Sequence, residues 1–127
     1  MSLDPLWPKA GEPLPRAAEA IGVRDKLLRY SLDPTNEIGK PKARGFERIL
    51  GITIEDVDYL ESAIRAGILT LPVSTVRDNP PWGLKCVVNV PVYGLREKRG
   101  RVINVRTVWE IAGSDAPPRL VNAYLKP

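Results

Sequence analysis

The chain of 127 residues predicts an α+β domain, with N-terminal helices packed on one face of an antiparallel β-sheet. Two observations carry that prediction. Apolar residues recur at helical spacing as far as Gly67, and beyond it the period falls to two. Helical segments followed by consecutive strands, with short polar turns between them, form an α+β layout.

Residues 1–15 hold Pro5, Pro8, Pro13 and Pro15 around Trp7, a density that blocks helix and breaks ladders. They read as an extended arm, leaving residues 16–127 as the single domain. Residues 23–32 (VRDKLLRYSL) carry a helical stripe that Asp33-Pro34 stops, because a residue before proline is pushed out of the helical region. A second helix starts near Pro41, buries Ala43, Phe46, Ile49 and Leu50, and ends at Gly51. Thr53 is the expected N-cap of a third helix, with Glu55 and Asp56 in its first turn. That helix buries Ile54, Val57, Leu60 and Ile64, and Gly67 ends it.

Four strands follow at residues 69–76, 84–93, 101–111 and 119–125, the first interrupted by Pro72. Alternation sorts their faces. Cys86, Val88, Val90 and Val92 point to the core, as do Ile103, Val105, Thr107, Trp109 and Ile111. In the last strand Val121, Ala123 and Leu125 are expected inward, with Leu120, Asn122 and Tyr124 outward. The outer face then displays Asn89, Asn104, Arg106, Asn122 and Tyr124, groups that can bond phosphates and base edges or stack a base. A solvated sheet face has the same composition, so that bland reading stands beside the binding one.

The absence of histidine and the single Cys86 remove structural zinc sites, Ser-His-Asp triads and Cys-His pairs. No metal, cofactor motif, signal peptide or membrane-length apolar run is read from the sequence. One cysteine fits a reducing, cytoplasmic setting.

A net charge of +4 and a pI of about 9.4 are mildly basic. The placement of the cations is more informative. Lys40, Lys42 and Arg44 crowd the start of the second helix, where the dipole favours acids. Free first-turn amides and these side chains would suit a phosphate, and Gly39 would let a ligand approach the backbone. Arg96, Lys98, Arg99 and Arg101 form a second cluster at a hairpin loop. Both clusters on one face would make RNA the natural partner. Cleavage through the 2′-hydroxyl would then need Lys42 or Tyr124 to move protons and Arg106 to stabilise the phosphorane. The competing reading is a non-catalytic module for an acidic protein, with Trp7 and Trp82 making contacts.

The chain also resembles an uncharacterised bacterial domain family. The resemblance rests on Leu27, Tyr30, Leu32 and Pro34, then Gly39, Lys42, Ala43, Phe46, Leu50 and Gly51. It continues through Thr107 and Trp109 to Arg119, Leu120, Val121, Ala123 and Tyr124. Related domains look like a metal-independent RNase superfamily of barnase, EndoU, colicin and RelE types, found as tips of bacterial toxins. The resemblance implies a signature cation at Lys42, with Thr107 and Tyr124 contributed by the sheet and Arg106 beside them. Its Thr107 conflicts with the inward face assigned above. Where relatives carry a histidine before the glycine and a threonine near the end, this chain has Asn36 and Asn122.

Overall fold

The computed structural model describes residues 8–113 and 115–126, and three helices precede a four-stranded sheet. Helix α1 spans Val23–Lys26 and continues as a π-helical turn over Leu27–Ser31. Helix α2, Lys40–Gly45, continues in the same way over Phe46–Leu50. A 3₁₀ turn at Ile54–Asp56 leads into α3, Val57–Ile68. The strands are β1 Val73–Asp78, β2 Leu84–Tyr93, β3 Val102–Ile111 and β4 Arg119–Lys126. They pair in sequence order, each antiparallel to the next. Among the described residues no helix is long and apolar enough to cross a membrane.

The helices cover one face of this meander. Phe46, Leu27, Leu50, Leu60 and Ile64 are fully buried against Cys86, Val88, Val105 and Trp109. Burying side chains of this size stabilises by about 1.5–3 kcal/mol each, which makes this layer the main source of stability. Burial pushes the Cys86 thiol up to about 11, so it is a small core hydrophobe. The alternation predicted for β2 and β3 holds along both strands. Pro91 lies beyond Val88, where the pairing with β1 stops, so it falls on a stretch of free edge.

Two boundaries differ from expectation. Helix α3 passes through Gly67 to Ile68, and β1 accordingly begins at Val73. The described end of the proline-rich arm is part of the fold. Gly11 N–H donates to Val73 O at 2.8 Å, Val73 N–H donates to Glu12 O at 2.7 Å, and Leu14 is buried in the core. The described end of the arm is therefore hydrogen-bonded to the start of β1. The contacts expected of Trp7 lie outside the described residues.

Thr53 caps the 3₁₀ turn that leads into α3, in a reciprocal box with Asp56. Sequence did not foretell the third member. Arg96, at the β2–β3 loop, donates to Asp56 Oδ1 and Oδ2 at 2.8 and 2.9 Å and to Gly51 O at 2.9 Å. This bidentate pair, with the Thr53 amide, holds the Asp56 carboxyl down at about 2, from an ordinary value of 3.8. As pH falls, the unfolded chain takes the proton before the folded one. The stabilisation is therefore complete above about pH 5 and lost progressively towards pH 2. Allowing for solvent around Arg96, it amounts to about 1–2 kcal/mol. Urea midpoints of wild type and Asp56→Asn should differ at pH 7 and converge by about pH 2. A constant difference across that range would show that Asp56 acts through shape alone.

Candidate functional site

The face of the sheet turned away from the helices carries a groove of about 480 Å³. Strand register arranges its side chains in cross-strand rows. One row runs Arg77–Lys85–Glu110–Arg119, the next Thr75–Val87–Val108–Asn122, and the third Asn89–Arg106–Tyr124. Directly opposed residues sit about 4.5–5.5 Å apart, so each row is a contiguous strip.

Arg106 is the centre of the third row. Its Nη1 donates to Tyr124 Oη at 3.5 Å, a long contact. Its Nε is buried, as is Asn89 Oδ1 across the row, and no protein group hydrogen-bonds either atom. Leaving a buried donor unmet costs on the order of 1–3 kcal/mol. Among the described residues no carboxylate forms a salt bridge with Arg77, Lys85 or Arg106. Glu110 is the one acid lining the groove, and its Oε2 accepts from Asn79 Nδ2 at 3.3 Å. The groove thus gathers Arg77, Lys85 and Arg106, with one carboxylate near its end.

A β-bulge shapes the far wall. Val108 faces Asn122 but Trp109 faces Leu120, so Val121 is the extra residue of β4. The bulge reverses the expected orientation upstream of Asn122. Leu120 is 1% exposed in the core, whereas Val121 lines the groove beside Asn122. A strict two-residue period through Leu120–Leu125 had placed them the other way.

Of the residues singled out from sequence, Arg106, Asn122 and Tyr124 come together here. Asn104 lies two residues from Arg106 on β3, paired with Pro91 and Lys126 and exposed outside the groove. Thr107 is not on this face at all. It is 0% exposed, its hydroxyl donates to Val88 O at 2.7 Å and accepts from Trp109 Nε1 at 2.8 Å. The inward face read from alternation is the one it occupies, and the sheet-face role implied by resemblance has no accessible hydroxyl behind it.

The α2 cations also lie elsewhere, since Lys40, Lys42 and Arg44 do not line the groove. The amides expected to await an anion are already engaged. Asn36 Oδ1 accepts from Ile38 N and Gly39 N at 2.9 and 2.8 Å, and Lys40 N donates to Asn36 O at 2.8 Å. Lys40 pairs with Glu37 at 3.2 Å. Gly39 is required by close packing instead of by a ligand, because a Cβ there would fall 2.0 Å from Tyr30 O. In the second basic cluster, Arg96 is bound to Asp56 and Arg101 donates to Ile49 O at 3.4 Å. Neither cluster forms part of the open-face site.

Arg77 and Lys85 are the cations that sequence reasoning missed. Alternation along β2 puts Lys85 on the same outer face as Asn89. Only register shows that it stands between Arg77 and Glu110.

A family model described as "Domain of unknown function (DUF6883)" matches residues 13–127. No curated protein and no solved structure matches the chain.

Proposed function

The chain belongs to the DUF6883 family, and we propose that its open sheet face binds RNA along the groove centred on Arg106. The observation that carries this reading is the Asn89–Arg106–Tyr124 row, whose buried guanidinium donor and amide oxygen have no protein partner. A phosphate accepts the guanidinium fork in bidentate fashion. Tyr124 adds a hydroxyl or a stacking surface, and the Asn89 and Asn122 amides can meet a 2′-hydroxyl. Lys85 lies four residues along β2 from Asn89, a separation of about 13 Å. One phosphate cannot span that distance, so an extended polyanion fits better than a small anion.

The reading is one of binding. Cutting RNA needs a base and an acid at the same 2′-hydroxyl. Thr107 is sealed in the core and Lys42 lies off the groove. Glu110 sits about 13 Å along β3 from Arg106.

Titration of labelled single-stranded RNA in EDTA tests this directly. The wild type should bind, with log affinity falling linearly against log salt and a slope of roughly −1.5 to −2, about 0.7 for each of two or three neutralised phosphates on a single strand. RNA should remain intact. Capture of poly-glutamate without RNA binding would overturn the reading in favour of an acidic protein partner.

A further inference from the structure

Glu110 is out of place on a surface that holds a polyanion, and its position gives it a use. It lines the cationic groove and also a neighbouring depression of about 410 Å³ at the end of the sheet. The walls of that depression include Trp82, Pro81, Pro117 and Ile21, with Arg119 at the side. Trp82 is 63% exposed, the largest aromatic surface displayed among the described residues.

The backbone that carries it is fixed by the fold. Trp82 N donates to Asn79 O at 2.6 Å and Asn79 N to Gly83 O at 2.8 Å, closing the β1–β2 turn. Gly83 sits at φ +101°, and a Cβ there would fall 2.0 Å from Ile111 O. Only glycine allows the turn to press so closely on the end of β3. Ile21 is held in turn by hydrogen bonds to the backbone of Pro118 and Leu120. An exposed indole beside proline rings is a stacking platform of the kind that holds an unpaired base.

We infer that the Trp82 depression is a base subsite for guanine, continuous with the phosphate groove through Glu110. This rests on the RNA reading of that groove. A carboxylate only accepts hydrogen bonds, and each oxygen has two acceptor sites. Asn79 occupies part of Oε2 and leaves Oε1 available. Guanine presents two adjacent donors, N1–H and the N2 amino group, which match the two oxygens. Adenine and cytosine place a ring acceptor beside their amino donor, so one carboxylate oxygen would face a lone pair. Uracil offers a single donor between two carbonyls. The acid that weakens phosphate binding thereby selects the base.

The test uses the full chain carrying Trp7→Phe, so that emission changes report Trp82, with Trp109 buried and constant. Two single-stranded RNA oligomers of equal length are compared, one all uridine and one with a central guanine. The guanine oligomer should quench the emission and bind more tightly. Trp82→Ala should weaken it by about five-fold to a hundred-fold and leave the salt slope unchanged, since stacking carries no counterion release. Glu110→Gln should abolish the preference while strengthening binding of all-uridine RNA. If both oligomers bind alike, with ordinary salt dependence and no loss in Trp82→Ala, the base subsite is wrong and the groove stands. If neither oligomer binds, the groove reading and the subsite fall together.

Discussion

Replacing Thr107 by valine should lower the free energy of unfolding by about 2–3 kcal/mol and leave RNA affinity unchanged. The two side chains are nearly equal in volume, so the cost comes from hydrogen bonding. Without the hydroxyl, Trp109 Nε1–H is buried beside a methyl group, and Val88 O loses its side-chain donor. Trp109 is the largest fully buried side chain among the described residues, which gives its N–H no route to water. For a domain of this length the change corresponds to a fall in Tm of roughly 10 °C. Thr107→Ser keeps the hydroxyl and loses one methyl, so it should cost only about 1 kcal/mol. Thermal unfolding of the three proteins, with RNA titrations alongside, separates a core bridge from a site residue. If the valine variant folds normally and loses RNA binding, the hydroxyl belongs to the site after all.

The outcome at Thr107 shows which parts of this molecule a sequence makes legible. Alternation is a local property of extended backbone, so it placed Thr107 and Trp109 inward and Arg106 outward on β3. It failed at Leu120 and Val121 because a bulge adds one residue without a distinctive side chain. Register is non-local, and the row joining Arg77 to Lys85 and Glu110 depends on it. The clamp from Arg96 to Asp56 joins residues forty positions apart, so nothing near either one announced it. The α2 cations misled for a different reason. Charge at a helix start is visible in sequence, whereas the carbonyls and the Asn36 side chain that occupy its amides are not.

These distinctions make charge placement, more than charge count, the variable on which the proposed binding turns. Lys40 has Glu37 as a neighbour, and Arg96 has Asp56. Their fields are partly cancelled where they stand. Arg77, Lys85 and Arg106 share one concave strip, where potentials add and low-dielectric walls reduce screening. A net charge of only +4 is compatible with three cations gathered on one groove, because most of the remaining cations are exposed, paired or both.

Arg106→Ala should therefore reduce RNA affinity by about ten-fold to a hundred-fold near 0.1 M salt, and flatten the log–log salt slope by about one unit. Arg106→Lys should recover the slope and only part of the affinity, since an ammonium keeps the charge and loses the planar fork. Lys42→Ala should leave both quantities at wild-type values, although sequence alone had made Lys42 the favoured cation. Stability supplies an independent reading of the same residue. Arg106 Nε has no protein partner in the folded chain, so its removal abolishes an unmet donor and should leave Tm unchanged or slightly raised. A residue kept for folding would give the opposite pattern, with Tm falling and affinity constant. Loss of affinity in Lys42→Ala with none in Arg106→Ala would move the phosphate site to α2 and remove the basis for the open-face groove.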